Sequence, residues 1–418
     1  MLKINIKKLG PGLLFAGAAI GVSHLVQSTR AGADYGWGLL WALLLVNLFK
    51  YPFFQYGPRY ALATGESLLD GYYKLGKGYL WFYFFLNIVT MFTIQTAVTI
   101  VTAGLASNLF GVSSNMVFWS IFITFTCYFI LLIGKYRLLD KVIKLIIIIL
   151  SISTILAVFI AFFKSPEVIK LDQTFPKGAG LLFLVTFMGW MPAPLDISIW
   201  HSIWAIEKKK ELKAQFKINE GMFDFNVGYL TTVMLGICFI GLGALVMFGS
   251  GLEFSDEGNV FAEQLINLYT SSLGKTSYFI ISIAAFTTML STTITTLDAS
   301  PRAMSKTIQL LFNQNDKNFY FLFISILAAG TCLVFIFLLS EMGLLVQIAT
   351  VLSFITAPFY AILNYRLVIS KHMPISNHPN KIMKLLSVLG ISFLIGFTLL
   401  YLYDLSFESI SQLCIFGV

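Results

Sequence analysis

Apolar runs of about twenty residues follow one another along almost the whole chain. That repetition restricts the fold more than any other feature, because a run of this length crosses the hydrocarbon of a bilayer as a helix. The runs lie near 11–33, 36–58, 78–106, 113–134, 140–163, 178–204, 222–249, 274–304, 319–340, 343–368 and 384–403, about eleven in all. A helix satisfies its own backbone groups where there is no water, so the sequence predicts an all-α membrane protein. Apolar residues make up 57% of the 418 and charged residues only 11%. A soluble domain carries about 25% charge, so the composition makes the lipid bilayer a partner of this chain.

The net charge of +8 does not point to nucleic acid, because the basic residues fall in alternate loops. Lys3, Lys7 and Lys8 precede the first span, Arg59, Lys74 and Lys77 follow the second, and Lys208, Lys209 and Lys210 follow the sixth. The outer loops are poor in lysine, and Glu253, Asp256, Glu257 and Glu263 gather in one of them. This asymmetry predicts a cytoplasmic N-terminus and an external C-terminus, in a bacterial inner (plasma) membrane. The first apolar run leads into a helix without a small-residue cleavage site, so no cleavable signal peptide is expected. Cys127, Cys238, Cys332 and Cys414 are scattered singly and suit buried apolar positions. No metal centre, cofactor site or catalytic triad is expected, and the chain is not read as an enzyme.

No long linker divides the sequence, so one transmembrane domain is expected over residues 1–418. Two spans carry helix-weakening residues at mid-membrane depth: Gly-Val-Ser-His at 21–24 in the first and Gly-Trp-Met-Pro-Ala-Pro at 189–194 in the sixth. Glycine and proline are frequent in membrane helices generally, and one kinked span would carry little message. Interruptions at matching places in two halves point to an inverted repeat with the substrate held between the breaks. Repeat one then covers about 11–163, repeat two about 178–368, and an extra helix about 384–403. Pro192 and Pro194 each remove a backbone donor and free a carbonyl.

The motifs Gly10-Pro11-Gly12, Arg30-Ala31-Gly32-Ala33, Thr64-Gly65, Asn108-Leu109-Phe110-Gly111, Met191-Pro192 and Ser291-Thr292-Thr293-Ile294-Thr295 occur in order, separated by spans. In these the chain resembles the Nramp-type divalent metal transporters. The resemblance implies a LeuT-like 5+5 inverted repeat with helices 1 and 6 broken. The departures are as informative. Where metal-transporting members read Asp-Pro-Gly-Asn, this chain has Gly21, Val22, Ser23 and His24, so both hard oxygen ligands are missing. The family's Met-Pro-His becomes Met191-Pro192-Ala193, its acidic pair in the third span falls on Gln95 and Val98, and residues 319–340 lack its arginines.

A divalent cation at bilayer depth needs formal negative charge nearby, and the two breaks supply none. Imidazole and thioether suit only a soft late transition metal. A carrier of manganese, iron or magnesium with a rearranged site is therefore the alternative reading. A small anion fits better, because half-helix N-termini present N–H groups and partial positive charge. The expected substrate-binding residues are Gly21, Val22, Ser23, His24 and Gln27 at the first break, and Trp190, Met191, Pro192 and Ala193 at the sixth. Arg30 adds positive potential a turn and a half further on. Each also has a plainer reading: His24 as a packing residue, Ser23 as a helix contact, Arg30 as an arginine reaching the outer headgroups.

Some Nramp-related proteins without the metal ligands are associated with bicarbonate transport, and this chain resembles that branch. The expected function is secondary-active transport of a small inorganic anion, bicarbonate foremost, by alternating access. Chloride, nitrate or a small carboxylate would satisfy the same groups. LeuT-like folds form sodium sites between the first and eighth spans, which makes Thr292 and Thr295 candidates for sodium coupling against ordinary helix packing. Asp196 is a second coupling candidate, since buried acids are expensive to keep. Asp298 has Arg302 one turn on as a partner.

Overall fold

The structure is a computed structural model that describes residues 10–133, 136–164, 171–211, 217–314, 316–337 and 341–415. Lys3, Lys7 and Lys8, on which the topology partly rests, lie outside them. The helices are α1 (Pro11–Ala19), a π-helical turn (Ser23–Ser28), α2 (Thr29–Tyr35), α3 (Leu40–Thr64), α4 (Leu68–Leu75), α5 (Lys77–Phe110), α6 (Met116–Leu132), α7 (Tyr136–Lys164), α8 (Ala179–Trp190), α9 (Ile197–Glu211), α10 (Ile218–Val246), α11 (Gly258–Leu273), α12 (Tyr278–Phe312), α13 (Tyr320–Phe337), α14 (Met342–Val368) and α15 (Lys381–Ile415).

Six of these, α5, α10, α12, α13, α14 and α15, are long and apolar enough to cross a membrane, and α1 with Ser23–Tyr35, bent by 48°, makes a seventh. The 25-residue α3 is equally long but carries Asn47, Lys50, Gln55 and Arg59. With α6, α7 and the pair α8–α9 these correspond to the apolar runs of the sequence. Phe85, Phe159, Phe337 and Leu399 are more than half exposed on the outside of the bundle, a surface suited to hydrocarbon.

α11 occupies a stretch whose composition predicts a polar loop. Phe261, Leu265, Leu268 and Tyr269 are buried on its inner face, a helical period too short and too polar to span a bilayer. α4 begins at a reciprocal cap: the Asp70 N–H donates to Ser67 Oγ at 3.3 Å, and the Ser67 N–H donates to Asp70 Oδ2 at 3.0 Å. Ser67→Ala is expected to cost about 1 kcal/mol through loss of this cap, read as a small fall in unfolding temperature of the detergent-purified protein.

The break in helix 1 sits on the seam between two apolar cores. Phe15, Ala18 and Ala19 pack with α3, α8 and α9, whereas Ile20, Val22, Leu25 and Val26 pack with α5, α10 and α12. Among the described residues of helix 6 only Trp190 reaches the second core; the residues on both sides of it, Met188 and Met191 among them, pack in the first.

Helix 1 is held along its length by α10. A Cβ on Gly32 would stand 2.0 Å from the Ile240 carbonyl oxygen, so the two backbones approach as closely as only glycine allows. At the other end Gly10 and Gly12 donate their N–H groups to the buried Asp224 carboxylate at 3.0 and 2.6 Å. That acceptor meets the orphan donors and positive dipole end at the start of α1.

Candidate functional site

At the first break α1 ends at Ala19, and the chain resumes helical geometry as a π-helical turn from Ser23. His24 is fully buried, with Nε2 2.9 Å from the Thr232 carbonyl of α10 and Nδ1 2.7 Å from Ser23 Oγ. Nδ1 also lies 3.1 Å from the Ala19 carbonyl, so each ring nitrogen faces a carbonyl that only accepts, and the neutral ring donates to one of the two. Ser23 Oγ also lies 2.6 Å from the Ala19 carbonyl and 3.2 Å from the Pro192 carbonyl, which ties the first break to the sixth. The Gly21 carbonyl accepts from the His24 and Leu25 N–H groups.

At the sixth break α8 ends at Trp190, and Met191 takes extended backbone (φ −88°, ψ 123°). The N–H that would bond the Met188 carbonyl in a continuing helix belongs to position 192, where proline has none. Lys50 of α3 supplies the donor instead. Its Nζ is 2.8 Å from the Met188 oxygen and 2.7 Å from the Gly189 oxygen, and the side chain is fully buried. Trp190 Nε1 donates to Ser353 Oγ at 2.7 Å. Ser353→Ala would leave that indole N–H unpaired, at a cost of about 1–3 kcal/mol, measurable as thermal destabilisation in detergent.

Between the breaks lies a cavity of about 300 Å³, counting the space open to its mouth. Ala18, Ala19, Val22 and Ser23 of helix 1, Trp190, Pro194, Ile197 and Trp200 of helix 6, Ile94 and Val98 of α5, and Thr292 and Thr296 of α12 line it. None of these side chains is charged. The N-terminal ends of both second half-helices reach the wall, at Val22–Ser23 and at Ile197. Trp200 Nε1 is buried and has no partner among the described residues. Only a small part of it, enough for about one or two water-sized groups, is wide enough to hold a ligand.

Of the residues singled out in the sequence, Val22, Ser23, Trp190 and Thr292 line this cavity. Gly21 backs Thr292: a Cβ there would stand 2.8 Å from Thr292 Oγ1. His24 turns to α10, Gln27 is buried with Oε1 lacking a partner, and Pro192 contributes the carbonyl 3.2 Å from Ser23 Oγ. Met191 is buried against α3 and α10, its sulfur 3.4 Å from where a Cβ on Gly236 would be, and Ala193 is buried beside it in sequence. Arg30 lies at the outer end, donating to the Ser255 carbonyl and to Asp256 at 2.7 and 2.9 Å. Thr295 is buried, and Thr292 Oγ1 is 3.4 Å from the Gly17 carbonyl. Asp196 is buried with Oδ1 unpartnered among the described residues. Asp298 accepts from Arg302 at 2.7 Å and from the Tyr320 hydroxyl at 2.6 Å.

Trp200, Ile94 and Lys50 were not anticipated. A lysine inside an apolar run of span length is the one signal among them a sequence reading can use. Gln95, at a position of the family's acidic pair, is bonded to α12: Thr296 Oγ1 donates to its Oε1 at 2.7 Å.

Residues 12–404 match the model of the natural resistance-associated macrophage protein-like family, Nramp. The chain belongs to the Nramp family. It is 37% identical over 402 residues to the uncharacterised protein PM0681 of Pasteurella multocida (strain Pm70), covering 94% of this chain and 91% of that one. Its fold is similar to that of the Eremococcus coleocola manganese transporter solved with an aromatic bis-isothiourea compound, with a TM-score of 0.73 at 13% identity over 94% of this chain and 86% of that one. It is also similar to Mhp1, a nucleobase-cation-symport-1 family transporter, with a TM-score of 0.59 at 13% identity over 97% and 93% of the two chains. The fold is therefore the LeuT-like fold of Nramp transporters, and the chain is an integral membrane transporter of that family. At such low identity the manganese transporter's fold carries over but its cargo does not, and among the described residues no group of three or more His, Cys, Asp or Glu is placed to hold a metal ion.

Proposed function

We propose that this Nramp-family chain is a secondary-active transporter of a small inorganic anion, with bicarbonate as its substrate, bound in the cavity between the two helix breaks. The observation that carries this reading is the state of the carbonyls at the breaks. Those that would face a cation are bonded by the chain's own donors: Ala19 by the Ser23 hydroxyl, Gly21 by backbone N–H groups, Met188 and Gly189 by Lys50. What remains toward the cavity is the Trp200 indole, whose N–H has no partner among the described residues, and the start of the second half of helix 1 at Val22–Ser23. Bicarbonate is a small planar monoanion whose oxygens accept from such donors and whose hydroxyl can donate to Thr292 or Thr296.

Sodium is the coupling ion we favour, at the place where Thr292 meets the Gly17 carbonyl between helices 1 and 8. Alternating access moves the bundle against the scaffold along the seam of the two cores. The orientation that fits the distribution of basic residues has the first helix starting in the cytoplasm of a bacterial inner membrane.

Uptake of labelled bicarbonate and of manganese into proteoliposomes, with and without a sodium gradient, tests the reading. Saturable bicarbonate flux above that of empty liposomes is the expected result. Manganese uptake without bicarbonate flux would favour a rearranged metal carrier and sink the anion reading.

A further inference from the structure

Lys50 lies near the middle of α3, inside the bundle, and none of it reaches the surface. A charged group at that depth is kept only where something compensates it. Here the compensation is unusual, because Nζ faces two main-chain carbonyls, those of Met188 and Gly189, at 2.8 and 2.7 Å. Both belong to the last turn of α8, where helix 6 stops and Pro192 withholds the next donor. The negative end of a half-helix dipole with two free oxygens is an arrangement that holds an inorganic cation in broken-helix transporters. The nearest compensating carboxylate in electrostatic terms is Asp196, across the same break, and among the described residues no ion pair is made with it. The break in helix 6 thus carries a cation on its carbonyl end and an acid before its amide end, one residue and six residues respectively from Trp190 in the cavity wall.

We propose that Lys50 is a tethered cation: its ammonium fills a monovalent-cation site made by the Met188 and Gly189 carbonyls at the helix-6 break, and removing the side chain opens that site to a free ammonium-type cation. The tether keeps the site filled through the transport cycle, so no mobile cation is needed there. Insofar as the cavity carries an anion, an inference resting on the proposed function, the same ammonium gives its wall a permanent positive potential.

The test compares Lys50→Ala with the unsubstituted protein in ammonium chloride and in choline chloride, at fixed sodium. In detergent, ammonium at about 100 mM is expected to raise the unfolding temperature of Lys50→Ala by about 5 °C over choline, and that of the unsubstituted protein by less than about 1 °C. Folded Lys50→Ala with equal unfolding temperatures in both salts overturns the proposal. This readout involves no substrate, so it stands or falls apart from the anion reading. In proteoliposomes, flux by Lys50→Ala is expected to fall about tenfold or more and to recover to within about threefold with ammonium, which enters as a ligand by mass action. Lys50→Met, which fills the space without charge, covers the case where the alanine variant does not fold. It should transport poorly and ignore ammonium, and flux equal to that of the unsubstituted protein would overturn the proposal.

Discussion

Replacing His24 with alanine is expected to destabilise the folded protein by about 3–5 kcal/mol, because it strips hydrogen-bond partners from a fully buried cluster. The Thr232 carbonyl loses its Nε2 contact at 2.9 Å, and the Ser23 hydroxyl loses its Nδ1 contact at 2.7 Å. The buried Thr232 carbonyl carries a desolvation penalty of about 1–3 kcal/mol, and the emptied imidazole site adds the cost of a void. The edge contact of the imidazole with Phe239, ring centroids 6.2 Å apart, is lost as well. Flux should fall together with unfolding temperature, since the ring joins helix 1 to α10 and orients Ser23 toward the cavity. His24→Gln keeps a donor for Thr232 and should recover part of both. An alanine variant with unchanged unfolding temperature but abolished flux would instead place the imidazole on the substrate.

Much of this fold is legible from the length of the apolar runs, because a bilayer leaves the backbone few alternatives. The breaks are legible for a local reason too: Gly21 and Pro192 act on their own turn of chain. α11 was not, since a helix lying at the surface has the composition of a loop unless its period is examined. The cavity was legible in place but not in detail. Val22, Ser23, Trp190 and Thr292 reach its wall, whereas Met191 turns toward Gly236 and His24 toward Thr232. Side-chain direction at a break does not follow the helical period, and the partners that decide it lie far off in sequence. Thr232 is 208 positions from His24, and Met188 is 138 from Lys50. A single sequence holds no record of those pairings.

The internal bonding of the breaks also shows how helices 1 and 6 stay broken around a cavity whose lining side chains carry no charge. Once Lys50, Ser23 and backbone N–H groups satisfy the freed carbonyls, the breaks persist without a bound cation to stabilise them. The indole N–H of Trp200, in the cavity wall, is left as a donor without a partner among the described residues.

Trp200 makes that concrete. Trp200→Phe is expected to reduce flux by about 10- to 100-fold while leaving the unfolding temperature unchanged or higher, a loss equal to one charge-assisted hydrogen bond of about 1.5–3 kcal/mol. The two effects have opposite signs for a physical reason. In the empty protein Trp200 Nε1 is a buried donor without a partner among the described residues, which opposes folding. Phenylalanine removes that group with part of the indole, and relief of the unpaired donor offsets the small void left, so the resting state breaks even or gains. Trp200 lines the cavity, and an anion that reaches its N–H gives it the acceptor it lacks, so its value appears only on binding. Parallel unfolding scans and bicarbonate uptake separate this from a packing role, for which stability and flux would fall together. Trp200→Ala supplies that contrast: it should lose about 3–5 kcal/mol through the cavity it creates, and its flux along with it.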